Sequence, residues 1–125
     1  MKTADMSPRQ IQNMQRMFEM PFAALYPMYV TKVQNKGRSE AELRTVLSWL
    51  TDLDSSQLDV AISSGESLQE LFDRVRLHPN VVLITGSVCG VKVQEVEDPL
   101  MRNIRYMDKL VDELAQGKDL ERILR

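Results

Sequence analysis

Apolar residues recur along the chain at a spacing near 3.6, and most of these stretches open on a helix-start signal. Ser7-Pro8-Arg9-Gln10 has the form of a capping box with proline at the first helical position. Ile11, Met14 and Phe18 follow at helical spacing, Met17 lies beside them, and Pro21 closes the segment. The same logic repeats downstream. Ser39-Glu40-Ala41-Glu42 precedes Leu43, Val46, Leu47 and Leu50, a stripe at i, i+3, i+4 and i+7. Asp54-Ser55-Ser56-Gln57 precedes Leu58, Ala61 and Ile62, with Gly65 as the stop. Ser67-Leu68-Gln69-Glu70 precedes Leu71, Phe72 and Val75, in register with Leu68. Each cap contributes about 1 kcal/mol, and their agreement with the apolar period strengthens all of them.

Two stretches read less simply. Phe22 to Lys36 has helical composition, but Pro27 interrupts it, and proline inside a helix costs about 3 kcal/mol. The expectation is a short turn through Ala23-Ala24-Leu25 and a fresh helix from Pro27. Met28, Tyr29, Val30 and Val33 would be its buried stripe and Gly37 its stop. After the break at His78-Pro79-Asn80, residues 81–96 turn to Val, Ile and Thr with Gly86 and Gly90. Because Val91-Lys92-Val93-Gln94 alternates, one reading is a hairpin turning near Thr85-Gly86-Ser87. An irregular buried segment with one helical turn fits the composition equally well, and both readings stand.

The last element is clear. Asp98 caps, Pro99 is the first helical residue, and Leu100, Ile104, Met107, Val111 and Leu114 mark one face, with Met101 and Leu110 flanking it. Gly117 ends the helix, and its other face offers Arg105 to Asp108 and Lys109 to Asp112 or Glu113 as ion pairs. A final turn from Asp119 to Arg125 presents Leu120, Ile123 and Leu124. The predicted fold is mainly α: a compact orthogonal bundle of five or six short helices, with a small β-hairpin around 81–94 as one option. Residues 1–125 are expected to form one domain, with 1–15 an N-terminal helical extension.

Composition narrows the function. With 125 residues, 43% of them hydrophobic, the chain can build a core without staples. The one cysteine, Cys89, excludes an internal disulfide, so a reducing cytoplasm is the expected setting. No apolar stretch approaches the ~20 residues of a membrane helix, and no apolar segment follows Lys2 as in a secretory signal. Residues 45–73 hold six acids and no Lys or Arg, which reads as a solvated face balanced by the basic first third, or as an acidic patch for a basic partner. That stretch contains the successive short helices a helix-turn-helix reader would need, yet none of the cations that grip phosphate. Neither a nucleic acid nor a membrane is expected as a partner.

From about Arg16 to Arg125 the chain resembles a bacterial family known as a domain of unknown function, number 2200 in its series. The resemblance is carried by Phe22-Ala23-Ala24-Leu25-Tyr26-Pro27-Met28-Tyr29-Val30, by Trp49-Leu50-Thr51, and most strongly by Leu83-Ile84-Thr85-Gly86-Ser87-Val88-Cys89-Gly90-Val91-Lys92-Val93. It continues through Glu97-Asp98-Pro99-Leu100-Met101 and Ile104 to Leu114. It implies a small helical bacterial cytoplasmic protein, with no reaction or ligand attached.

Candidate chemistry is sparse. Cys89 sits in Thr85-Gly86-Ser87-Val88-Cys89-Gly90, where a thiol could meet backbone N–H groups, but activation needs a cation, a helix N-terminus or a paired histidine. The single histidine, His78, has no sequence relation to it, and cysteine among valines reads first as a small buried hydrophobe. One Cys and one His do not make a metal site. Gly86 and Gly90 lack the remainder of either nucleotide-binding fingerprint, so no cofactor is expected. The amphipathic aromatics Tyr26, Tyr29, Trp49 and Tyr106 suit a groove or interface. The expected function is therefore a non-enzymatic binding or protein-interaction module, a homodimer being one form. Its candidate surface comprises Tyr26, Tyr29, Lys32, Trp49, Arg105, Asp108 and Lys109. The alternative is a small enzyme or ligand sensor using Cys89.

Overall fold

The computed structural model describes residues 6–125, so residues 1–5 of the expected extension lie outside the described residues. Seven α-helices are present among them: α1 (Pro8–Glu19), α2 (Phe22–Gln34), α3 (Glu40–Thr51), α4 (Ser55–Ser63), α5 (Leu68–Arg74), α6 (Pro99–Ala115) and α7 (Leu120–Ile123). Between α5 and α6 lie a 3-10 turn at Pro79–Leu83, strands β1 (Ser87–Val88) and β2 (Val91–Lys92), and a second 3-10 turn at Val93–Glu95. The mainly α architecture with a small hairpin is as the sequence reads.

All four capping boxes close in both directions, at Ser7, Ser39, Asp54 and Ser67. At Ser67, for example, the hydroxyl accepts from the Glu70 N–H at 3.1 Å and the Glu70 carboxylate accepts from the Ser67 N–H at 3.0 Å. Asp98 likewise accepts from the Met101 N–H at 2.8 Å and starts α6.

Pro27 does not split α2, contrary to the sequence reading: the helix runs unbroken from Phe22 to Gln34. The penalty of one missing hydrogen bond and a crowded carbonyl is outweighed by tertiary packing. Phe22, Leu25, Tyr26, Tyr29 and Val33 make one continuous buried face, each worth about 2 kcal/mol. That face also corrects the expected stripe, because Met28 points outward and is 61% exposed.

The segment after α5 is part helix and part hairpin. His78 caps a 3-10 turn through its Nδ1, which accepts from the Asn80 N–H at 3.0 Å, and Pro79 leads the turn. The hairpin reverses at Cys89-Gly90, not at Thr85–Ser87, with Ser87 opposite Lys92 and Val88 opposite Val91. Both loop residues have positive φ, 52° for Cys89 and 76° for Gly90, the combination demanded by the two-residue turn that matches strand twist. Gly86 lies instead at the open end of the hairpin, its carbonyl accepting from the Val93 N–H on the opposite arm at 3.0 Å.

The hydrophobic core gathers around α6, which packs against α2, α3, α5, α7, β1 and the second 3-10 turn. Ile104, Met107, Leu110, Val111 and Leu114 are all fully buried. The one buried charge among the described residues, Glu113, is 5% exposed. It accepts from both the Arg125 guanidinium (2.8 and 2.9 Å) and Lys118 Nζ (3.1 Å).

α1 lies at the edge of this core, on α5 and α6. Its C-terminal end is pinned by a bridge between Pro21 and Ser67, where the Leu68 N–H donates to the Met20 carbonyl and the Phe22 N–H to the Glu66 carbonyl, both at 2.9 Å. Met17, Phe18 and Met20 rest against the core. Yet α1 buries no residue at all.

Candidate functional site: the cleft beneath the first helix

α1 packs on α5 and α6, and its N-terminal half lies beside the hairpin and the start of α6. Between them lies an open cleft of ≈ 690 Å³. Met14 and Met17 of α1 line one wall, and Val91, Val96 and Met101 line the other. Gln10 and Asn13 from α1, and Lys92, Glu95, Glu97 and Arg105 opposite, add polar groups along its edges. Methionine side chains are flexible and polarizable, so such walls accommodate apolar surfaces of varied shape.

Arg105 links the cleft to a buried polar cluster. Its guanidinium donates to Asp108 Oδ2 at 3.1 Å, and Asp108 Oδ1 accepts from the Tyr29 hydroxyl at 2.5 Å. Both side chains of the ion pair are mostly covered, 18% and 14% exposed. Loss of solvent, and then the neighbouring Asp108 carboxylate, raise the Tyr29 hydroxyl well above its ordinary value of 10.0, so it remains a donor through the neutral range. Cys89 lies near enough that a thiolate there would raise it further.

The residues singled out from the sequence fall into separate groups. Tyr29, Arg105 and Asp108 meet as just described, and Lys32 of α2 pairs with Asp112 of α6 at 3.2 Å beside them. Lys109 pairs with neither Asp112 nor Glu113, contrary to expectation. It crosses to the hairpin, where Nζ donates to the Ser87 carbonyl at 3.2 Å. Tyr26 belongs to another network: its hydroxyl donates to Glu40 at 2.5 Å, while nearby Arg44 holds Asp59 at 2.7 Å. Trp49 stacks on His78, with ring centroids 4.3 Å apart and planes inclined by 18°. His78 is thus committed to Trp49 and to its own cap.

Cys89 is exposed at the hairpin tip rather than buried among valines. Alternation along β1 places Val88 inward, and the reversal at Cys89 turns the thiol out. Sequence reading missed the cleft's far wall, because Val91, Val96 and Met101 come together only through the hairpin and the cap of α6. The available signal was on α1, where methionines 14 and 17 share an amphipathic face.

Among the described residues no group of three or more His, Cys, Asp or Glu side chains converges as a metal site would require, and no helix is long and apolar enough to cross a membrane. A family model described as an uncharacterized protein conserved in bacteria, DUF2200, matches residues 16–125. The chain is also similar to a protein of solved structure, the uncharacterized protein SP1917. The two are 36% identical, the match covers 96% of this chain and 93% of that one, and the TM-score is 0.83. No curated protein matches the chain.

Proposed function

The chain belongs to the DUF2200 family of uncharacterized proteins conserved in bacteria, and from that premise we propose that it is a non-enzymatic binding or protein-interaction module whose binding surface is the cleft under α1. One observation carries the proposal: α1 is an amphipathic helix that buries none of its residues. A helix of 12 residues is marginal by itself, and its apolar stripe normally gains stability by being pressed onto a core. Here Met17 and Phe18 rest only partly covered on the core, and Met14 and Met17 border a cleft with apolar walls. A partner with apolar side chains would complete the burial, and Arg105, backed by Asp108 and Tyr29, supplies an oriented cation at the edge. A reducing cytoplasm is the compartment proposed for a chain whose one thiol is free and exposed.

Methyl-labelled methionine NMR against a panel of amphipathic peptides and apolar small molecules tests this. Binding at the cleft moves the Met14, Met17 and Met101 methyl signals and leaves Met28, on the outward face of α2, in place. If no compound moves those three signals, or if Met14→Glu and Met101→Glu leave binding intact, the proposal fails.

A second reading, a small enzyme or ligand sensor, is favoured by one observation: Cys89 is exposed with its backbone in the left-handed region at φ 52°. Iodoacetamide separates the two. Labelling of the folded protein at neutral pH at least tenfold faster than a free thiol supports this second reading, and labelling at the free-thiol rate removes it.

A further inference from the structure

We infer that the cleft under α1 is filled by α1 of a second copy of this chain, in a two-fold dimer; the inference rests on the reading of the cleft as a binding surface. A two-fold interface uses the same patch on both partners, so the patch must complement itself. This one holds both halves of a fit. α1 carries N-terminal side chains, Ile11 and Met14, that are half-covered and outside the core cluster. Beside it lies a cleft with walls of the same methionine and valine character.

The charges at its margins agree. Arg9, Asn13 and Arg16 follow one another at i, i+4 and i+7, so they form one stripe on α1, and Asn13 lines the cleft. Across the cleft stand Glu95 and Glu97. Arg9, Arg16, Glu95 and Glu97 are all exposed, and none of the four has an ion-pair partner within the described residues. The two cations on the helix are opposite in sign to the two carboxylates on the rim, which stays net acidic with Lys92 counted beside them. Seating each α1 in the other copy's cleft brings them together twice per dimer and excludes water from the methionines between them.

Charge reversal with mixing is the test. Wild-type protein is expected to sediment as a dimer whose dissociation constant rises with salt. Arg9→Glu/Arg16→Glu sets acid against acid in both halves, and Glu95→Arg/Glu97→Arg sets base against base. Each is expected to weaken self-association by about tenfold or more at low salt. An equimolar mixture of the two variants pairs opposite charges in both halves and is expected to restore the dimer. All four positions are exposed, and an unchanged helical circular-dichroism signal confirms that the variants fold. A wild type that stays monomeric into the millimolar range overturns the inference. So does a dimer indifferent to both variants, or a mixture that fails to re-associate. A monomer whose Met14 and Met101 methyls still respond to an apolar peptide overturns the dimer while leaving the cleft as a binding site.

Discussion

Replacing Tyr29 with phenylalanine removes one oxygen atom from a site where its role is well defined. The side chain is 6% exposed, so phenylalanine keeps the packing and forfeits only the hydroxyl. That hydroxyl donates at 2.5 Å to Asp108, whose other oxygen accepts from Arg105 at 3.1 Å. A hydrogen bond to a charged group contributes about 1.5–3 kcal/mol, and Asp108 retains its arginine, so a loss of about 2 kcal/mol is expected. With unfolding entropy near 2.1 cal/mol/K per residue and 125 residues, Tm falls by about 8 °C. Alkaline pH adds a second signature. The folded-state pKa of Tyr29 is raised above 10.0. Its contribution is therefore complete below pH 10, the unfolded value, and declines as pH climbs from there toward the folded value. Urea titrations at pH 8 and pH 11 should show the wild type losing more stability across that interval than Tyr29→Phe. A variant within 0.5 kcal/mol of wild type at pH 8, or an identical alkaline decline in both, refutes the reasoning.

Three further outcomes follow. Glu42, held by the Arg38 guanidinium and by the Ser39 N–H, has its carboxyl lowered from 4.5 to about 2. Its stabilisation is present above pH 4.5 and disappears as pH falls toward 2, so Glu42→Gln flattens that part of the acid-stability profile measured by circular dichroism. Cys89→Asn places Asn-Gly, the preferred pair, in a loop that needs positive φ at both residues; thermal melts should show a gain of about 0.5–1 kcal/mol. Arg125→Ala leaves the buried Glu113 carboxylate with Lys118 as its cation, and a loss of about 2 kcal/mol is expected by chemical denaturation, whereas a neutral result would mean that Glu113 is served equally well by water.

Local signals in the sequence were reliable wherever the deciding interaction lay within four residues. The four boxes and the Asp98 cap are contacts between near neighbours, and each start was legible from residue types and spacing. Pro27 is the counterexample. Its helical penalty is local, but the burial that overrides it comes from α3, α4 and α6, which a reading of the α2 segment cannot see. Lys109 failed for the same reason, since its partner is a carbonyl 22 residues away. The hairpin turn was misplaced because Gly86 carries the stronger turn signal, while Cys89 accepts a left-handed backbone that few side chains adopt. As for the cleft, one wall was written in the period of α1, and the other depends on where the hairpin docks.

The stacking of Trp49 on His78 joins the sole indole of the chain to its sole imidazole. The stack lays the imidazole against the indole face, so native fluorescence reports whether the two rings stay in contact. The His78 backbone N–H also donates to the Leu50 carbonyl at 3.1 Å, which fastens the linker after α5 to the end of α3. Separation of these two segments dims or brightens the same optical signal. The molecule therefore contains a label-free gauge of whether its middle third stays closed, readable at micromolar concentration and independent of any event at α1.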